Sequence, residues 1–362
     1  MNPELFHTFR RKINENDLIL HIFRDRFGKN KWSIICSAMD WIEVSLDGIN
    51  PAILSRDNDN RASILMITFL SCIDIMWEAI QQLHRVLFET DDIPFIDDTE
   101  IFQQTISDND YFKTIRACFA AHPINLQRVF PDDSLNERWY ASWSGGTFSH
   151  KDFSVILYSN NPAKESRFFD VSFNDISKFA EKRYAYLQVL MDKINCIINE
   201  HNEKYRKIPI AKGADIATDI DLLIDANEQR FNNDYYKYEL LKIKRVFALD
   251  TQLSKKNQVA LQKYKDALIE ELHELRNRLQ NMDLAGLEAE VNDSAPADIQ
   301  YPFSILSDSI WQETPCILFN YAVEEMRTFF KDLLDISITM SQEEIYVIAC
   351  AGSYMLNNSS NL

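Results

Sequence analysis

Apolar residues recur at three- and four-residue steps along most of the chain, which is the spacing of the buried face of an α-helix. The first clear stripe lies in Lys31–Leu46 and consists of Trp32, Ile35, Cys36, Met39, Ile42 and Leu46. Arg61–Phe88 is apolar on nearly every face from Ile64 to Ile75 and amphipathic after that. The pattern therefore predicts two or three short helices before residue 50, a central buried helix over Arg61–Phe88 and a solvated acidic loop over Glu89–Glu100.

The next predicted helix is Asp108–Ala121. Its N-cap is expected to be Asp108 or Asp110, because a carboxylate can accept hydrogen bonds from the free N–H groups of the first turn. His122 precedes Pro123, and a residue before proline is disfavoured in the α region. We therefore expect the helix to end at or just before His122.

A β-hairpin is predicted near residues 138–158. Arg138–Trp143 and Asp152–Tyr158 are rich in residues that favour strands, and the Ser-Gly-Gly sequence at 144–146 between them is typical of a turn. A long amphipathic helix is then expected from Asn174 to about Tyr205.

Residues 207–218, which contain Pro209 and Gly213, form the predicted domain boundary. Beyond it the periodicity predicts helices at Asp219–Asn232, Tyr235–Leu249, Ser254–Asn281, Pro315–Ile336 and Ser341–Leu356, with a loop at Asn292–Pro302. The predicted fold class is mainly α: a helical bundle with a β-hairpin insertion in residues 1–206, followed by a second helical domain in residues 217–362.

Composition agrees with packed helical cores. Hydrophobic residues make up 46 % of the 362 residues, and only 7 Gly and 10 Pro are present, which disfavours a turn-rich all-β fold. The net charge of −17 disfavours nonspecific binding to nucleic acid or to an anionic membrane. Residues 101–206 are locally neutral, with 13 basic and 13 acidic residues, and this segment is compatible with an anionic ligand.

The cysteines and the apolar runs indicate the compartment. The six cysteines include no CxxC pair, the first residues have no apolar signal core, and the longest apolar run, around Ile64–Leu70, is far shorter than a bilayer span. We therefore expect a cytoplasmic protein with reduced cysteines and no membrane partner.

Candidate chemistry centres on Arg116 and His122, six positions apart at the end of a predicted helix. An arginine supplies fixed positive charge for a phosphate, and a histidine can carry a proton near neutral pH. Together they are the smallest set of side chains that could cleave a phosphodiester without a metal. Lys113 and Arg128 could widen such a phosphate site, and Trp143 could stack on an unpaired base.

Arg116 and His122, with five residues between them, resemble the R-x(4–6)-H signature of the HEPN superfamily. These are helical-bundle domains, many of them metal-independent ribonucleases of prokaryotic defence and toxin–antitoxin systems. The resemblance implies that Arg116 contacts the phosphate, that His122 is the general acid/base or orients the attacking 2′-hydroxyl, and that the site forms across a homodimer. Ala117 departs from the family pattern, since active members commonly have a polar residue after the arginine. The implied function is RNA cleavage or RNA binding, in phage defence or a toxin–antitoxin system.

An alternative interpretation is structural. His122 would then interact with the negative end of the helix dipole, and Arg116 would pair with Asp110 or with an acid from Glu89–Glu100. In that case we expect a non-enzymatic helical interaction protein, whose C-terminal helices, including the heptad-like run Ser254–Leu279, bind a protein partner.

A metal or cofactor site is not expected. Glu270 and His273 share one helix face as an ExxH step, but a bundle metal site needs a second such helix and further glutamates beside it. The sequence also has no Walker A, G-x-G-x-x-G or HExxH motif. The prediction is therefore an exposed helix face at Glu270 and His273, with no metal and no cofactor.

Overall fold

A computed structural model gives the structure of residues 1–15, 17–49, 59–127, 129–130, 132–134, 136–143, 152–249, 252–311 and 317–358. The described part is mainly α-helical with one small antiparallel sheet, which confirms the predicted fold class. It divides into two compact units, unit 1 (residues 1–198) and unit 2 (residues 199–362).

Unit 1 contains helices at both ends of its sequence and the sheet between them. The helices are α1 (Pro3–Asn14), α2 (Asp17–Arg24), α3 (Trp32–Gly48), α4 (Asp59–Phe88), α5 (Asp108–Arg116), α6 (Phe173–Ala185) and α7 (Leu187–Arg206), whose last turns from Asn199 onward belong to unit 2. Their apolar stripes meet in one core, to which Phe9, Ile35, Ile42, Ile73 and Phe179 contribute fully buried side chains. The helices predicted before residue 50 and over Arg61–Phe88 are confirmed.

Helix α4 lies at the centre of this core. Over Asn60–Phe88 it is long and apolar enough to cross a lipid bilayer by length and composition alone, and half of its most apolar window is buried in the structure. The core helix of a soluble protein has the same properties, so this helix is weak evidence for a membrane span. It packs closely on α3, since a Cβ atom at Gly48 would collide with the Sγ atom of Cys72.

The sheet has three antiparallel strands in the order β1 (Trp139–Trp143), β2 (Phe153–Ser159) and β3 (Arg167–Val171). Trp139 pairs with Ser159 in the predicted hairpin, and the predicted turn at 144–146 lies outside the described residues. Strand β3 is an addition that the sequence pattern did not indicate. Its residues alternate between the core and the outer face, as expected for a strand with one covered side.

Helices α6 and α7 replace the single helix that the periodicity predicts from Asn174 to about Tyr205, so this prediction is wrong in its continuity. The break falls at Tyr186. Its hydroxyl oxygen lies 2.9 Å from Nδ1 of His84 in α4, and its ring meets Phe95 edge to face. These tertiary contacts accompany a local break that amphipathic periodicity alone does not show.

Unit 2 contains α8 (Ile216–Arg230), α9 (Asp234–Ala248), α10 (Lys255–Asn281), α11 (Gln300–Trp311), α12 (Phe319–Phe329) and α13 (Gln342–Asn357). A short 3₁₀ turn, Ala297–Ile299, precedes α11. The sequence pattern places Asn292–Pro302 in a loop, and this is wrong for its last residues. Pro302 lies in the first turn of α11, where its missing N–H is not needed for a helical hydrogen bond.

A buried arginine of unit 2 donates hydrogen bonds to the backbone carbonyls at two helix ends. The guanidinium of Arg230 donates to the carbonyl oxygens of Tyr205 at 2.8 Å, Ile208 at 2.7 Å and Leu279 at 3.3 Å. These carbonyls belong to the C-terminal ends of α7 and α10 and the chain just beyond α7, where backbone acceptors lack helical partners. Arg230 therefore joins two helix ends through a single cation.

Candidate functional site

The candidate site is built on α5, whose first turn is capped by a serine. The hydroxyl of Ser107 accepts a hydrogen bond from the backbone N–H of Asp110, so the predicted carboxylate N-cap is wrong. Asp108 has another role because its buried carboxylate accepts the N–H groups of Ile101 at 2.9 Å and Phe102 at 3.0 Å. The carboxylate thereby fixes the acidic loop against the start of the helix.

The far end of α5 carries both predicted catalytic residues. The α-helix ends at Arg116, a π-helical turn follows over Ala117–Ala121, and His122 is the C-cap, which confirms the predicted helix end. The carbonyl oxygen of Pro123 accepts the N–H of Ala141 in β1 at 2.6 Å. The sheet therefore holds the segment that follows the histidine. π-Helical turns are rare and are found frequently at functional sites.

Arg116 points toward α4. Its guanidinium forms an ion pair with Asp74, and its Nε atom is buried with no acceptor among the described residues. The prediction that Arg116 pairs with Asp110 or with an acid of Glu89–Glu100 is therefore wrong. Arg116 lines a cavity of about 340 Å³ between α4 and α5, together with Trp77, Glu78, Arg85 and Lys113.

The carboxylate of Asp110 has its own partner. The ammonium of Lys113 lies 2.9 Å from it, one turn along the helix, and this hydrogen bond is the main reason that the pKa of Asp110 lies below its usual value. Both side chains are exposed. Lys113 is consequently a solvent-facing cation at the rim of the cavity rather than a buried one.

His122 lines a different cavity. It is exposed and borders a space of about 350 Å³ that Lys113, Thr114, Cys118 and Asn125 also line. Cys118 is buried, and burial raises the pKa of its thiol to about 12. Because the thiolate is the nucleophilic form, Cys118 is not an activated nucleophile. Histidine is the side chain most often used for proton transfer in catalysis, and His122 opens into this cavity.

Among the described residues, Arg116 and His122 of one chain line separate cavities. Six residues of a regular α-helix would leave a side chain about 120° from its starting direction, and here a π-helical turn lies between the two residues. Lys113 is the residue that borders both cavities. The arginine and the histidine therefore open on neighbouring surfaces with a lysine between them.

Of the other two predicted binding residues, the structure describes Trp143 but not Arg128. Arg128 lies outside the described residues. Trp143 ends β1, is partly exposed, and packs edge to face on Phe119 of the π-helical turn with ring centroids 5.5 Å apart. Trp143 thus supports the turn that separates Arg116 from His122.

Sequence reasoning missed two features of unit 1. Asp74 had a signal, since it is the lone charged residue between residues 62 and 77. The second feature is a cavity of about 530 Å³ between α3 and α4, which Ile34, Trp41, Ile75 and Ala79 line. Trp41 is 52 % exposed there. The sequence signal for this cavity was the presence of apolar residues on α3 outside the predicted buried stripe.

No model of a known protein family, no curated protein and no solved structure matches this chain. The HEPN resemblance rests on Arg116, His122 and their helical surroundings. Function is therefore inferred from the geometry of this segment.

Proposed function

We propose that the segment Arg116–His122 binds RNA and cleaves it without a metal in a homodimer, as the HEPN resemblance implies. The observation that carries the proposal is that Arg116 and the exposed His122 line neighbouring cavities that share Lys113. In this assignment Arg116 and Lys113 hold the phosphate, and His122 transfers the proton of the 2′-hydroxyl or of the leaving oxygen. A role in phage defence or in a toxin–antitoxin system belongs to the same proposal.

In the proposed homodimer, the second copy of the chain completes the catalytic site. Because Arg116 and His122 of one chain line different cavities, the two groups can act on one phosphodiester when one chain supplies the arginine and the other the histidine. A two-fold axis between the chains would generate two such composite sites. The proposal therefore includes a site shared between subunits.

The surrounding charge favours selective rather than general RNA binding. The whole chain carries a net charge of −17, which repels a polyanion at long range. The ion pair with Asp74 also neutralises Arg116 in the unbound protein. An RNA phosphate must compete with this carboxylate, so we expect productive binding when further contacts position the RNA at Lys113 and His122.

The direct test is an RNA cleavage assay with matched substitutions. Arg116→Ala and His122→Ala are each expected to lower the cleavage rate by about 10²-fold or more, the usual contribution of a general acid/base. Arg327→Ala and His273→Ala remove exposed side chains of the same types in unit 2 and should leave the rate unchanged. Equal rates for all four variants, or no cleavage of any RNA by the wild type, would reject the enzymatic function.

Mixing the two inactive variants tests the shared site. Random exchange of Arg116→Ala and His122→Ala chains makes half of the dimers mixed, and one composite site in each mixed dimer is intact. About one quarter of the wild-type rate should return. A mixture that forms heterodimers and stays inactive would show that the arginine and the histidine do not act across the interface.

A second candidate function is favoured by the apolar cavity between α3 and α4. In this candidate the protein is a non-enzymatic helical interaction protein, and the half-exposed Trp41 lies in the contact surface. The predicted protein partner of the C-terminal helices stays a prediction. In α10, the apolar residues Tyr264, Leu268 and Leu275 are buried within unit 2 and are therefore not exposed to a partner. Absence of RNA cleavage, together with self-association that Trp41→Glu abolishes in sedimentation experiments, would support this candidate over the first.

A further inference from the structure

Unit 2 contains a buried cluster of three acids around one lysine. Glu239 and Lys242 of α9 and Glu271 of α10 are at most 4 % exposed. Glu239 forms an ion pair with Lys242, whose Nζ atom lies 3.9 Å from Oε1 of Glu271 and 3.5 Å from Oδ2 of Asp293. One ammonium cannot balance two buried carboxylates and the partly buried Asp293, so a fully ionised cluster would carry excess negative charge.

One oxygen atom of the cluster points to a proton on the acids. Oε1 of Glu271 is buried and has no donor within hydrogen-bond distance among the described residues, since the ammonium of Lys242 lies 3.9 Å away and pairs with Oε2 of Glu239 instead. Buried polar atoms in folded proteins normally have a partner. A protonated carboxyl group can donate, whereas an ionised one only accepts. A proton held between Glu239 and Glu271 therefore gives the buried oxygen of Glu271 the hydrogen-bond partner that it lacks.

The electrostatic environment agrees with this protonation. Burial is the main cause that raises the pKa of Glu271 to about 8, and the neighbouring Glu239 acts in the same direction. Lys242 and the backbone N–H of Val291 oppose the shift without cancelling it. Glu271 therefore keeps its proton at neutral pH.

Glu271 also holds the irregular segment that follows α10. Its Oε2 atom accepts the backbone N–H of Val291 at 2.9 Å. One turn later, Glu274 accepts the N–H groups of Glu288 at 3.0 Å and Ala289 at 2.6 Å. Carboxyl groups of one helix thereby fix the backbone of residues 283–296 over the buried cluster.

We propose that a proton shared by Glu239 and Glu271 latches residues 283–296 onto α10, and that loss of this proton releases the segment. The proton passes to bulk water when the latch opens. Glu271 then becomes a carboxylate that Glu239 and Asp293 repel, and solvent reaches it once the segment has moved away.

Other titratable groups of the described residues also face the cluster. They are Tyr235 and Tyr238 of α9, Tyr264 of α10, Glu290 of the segment, and Tyr346 and Cys350 of α13. Burial raises the pKa values of the four tyrosines and of Cys350 above their ordinary values. The four tyrosines and Cys350 therefore stay neutral below about pH 9, and Glu290 contacts Tyr235.

The linkage fixes the direction of the pH effect. In the open state, water returns the pKa of Glu271 toward its ordinary value of 4.5, whereas in the closed state the pKa is about 8. Opening therefore releases a proton between these two values. The equilibrium constant for opening rises by up to about tenfold per pH unit over this range and becomes constant above it.

Hydrogen exchange of the full-length protein tests the latch. In the wild type, the protection factors of residues 283–296 should fall from about pH 5 to about pH 8 and level off at higher pH. In Glu271→Gln, which has no titrating carboxyl group at this position, they should be independent of pH. Glu270→Gln changes the exposed neighbour on the same helix and should behave as the wild type.

Infrared spectroscopy of the wild-type protein tests the proposal without any variant, so the result does not depend on whether a variant folds. The C=O stretch of a protonated carboxyl group should be present in the wild-type protein near neutral pH and vanish above about pH 9. If Glu271→Gln does not fold, Glu239→Gln replaces it in the exchange experiment, where the pH dependence should move to lower pH because Glu239 no longer raises the pKa of Glu271. A wild-type protection factor that does not change with pH, a pH dependence that survives in Glu271→Gln or is unshifted in Glu239→Gln, or the absence of the protonated carboxyl band would overturn the proposal.

Discussion

Arg116 of α5 is ion-paired with Asp74 of α4, so the guanidinium is held on the α4 side of its helix while His122 opens on another surface. The side chains of the pair are 36 % and 23 % exposed, respectively. Partly solvated pairs contribute little to stability, on the order of 1 kcal/mol or less. The pair therefore serves more to orient and neutralise Arg116 than to stabilise the fold.

Asp74→Asn is expected to free Arg116 for a phosphate. The free energy of unfolding should fall by about 1 kcal/mol or less, because the pair is partly solvated. RNA affinity should rise, and the slope of log K against log salt should steepen by about 0.7 for one added contact to a single strand. Filter binding over a salt series measures both quantities. Asp40→Asn, on the exposed side of α3, is the control, and an unchanged slope for Asp74→Asn would contradict the role of Arg116.

The fold was predictable where local rules decide it. Proline at 123 acts on the residue directly before it, so the helix end at His122 followed from two adjacent residues. Amphipathic periodicity located most helices for the same reason. It did not show the break at Tyr186, which packs on His84 102 residues earlier, or the strand Arg167–Val171, which is completed by pairing with β2.

The sequence supplied the candidate residues of the site but not their geometry. Arg116 and His122 stood out by type and spacing, but the partner of Arg116 lies 42 positions earlier in the chain. Which face of α4 meets α5 is decided by packing of the whole core, and spacing along one helix carries no information about it. The cluster at Glu271 was hidden for the same reason, since its members come from two helices and a loop.

Arg183→Met should destabilise unit 1 strongly. The guanidinium is fully buried, lies 4.0 Å from the centroid of the Phe179 ring, and donates to Asp98 at 3.3 Å and Asn109 at 3.1 Å. Removal of one partner from a buried polar network costs about 3 kcal/mol. Urea unfolding followed by tryptophan fluorescence reports on unit 1, which holds five of the six tryptophans.

Lys178→Ala on the exposed face of the same helix is the control for Arg183→Met. Its free energy of unfolding should stay within about 0.5 kcal/mol of the wild type. A similarly small effect for Arg183→Met would show that the network around Asp98 and Asn109 does not need the buried cation.

His84→Gln should change the pH dependence of unit 1. Burial is the main cause that lowers the pKa of His84 below its usual value of 6.5, and the adjacent Arg85 acts in the same direction. The unfolded chain therefore binds the proton more tightly. The stabilising contribution is fully present above pH 6.5 and is lost as pH falls through the folded-state pKa.

The measurement for His84 is the urea midpoint between about pH 7.5 and pH 5. The wild type should lose stability on acidification, and His84→Gln should lose less over the same interval, whatever its stability at neutral pH. His7→Gln, an exposed histidine of α1, should follow the wild type. Parallel curves for all three proteins would exclude His84 as the source of the effect.

Gly352→Ala should destabilise unit 2, although alanine is the better helix former. An added Cβ atom in the middle of α13 would lie 2.5 Å from Cδ1 of Leu334 and 2.8 Å from Cε1 of Phe330. Overpacking of a dense core costs about 1–3 kcal/mol, which exceeds the gain of about 1 kcal/mol in helix propensity. Hydrogen exchange of α13 peptides in rising urea measures the loss. Gly286→Ala, where an added Cβ meets nothing within 4 Å, is the control, and equal protection in both variants would show that the contact with Leu334 and Phe330 relaxes without cost.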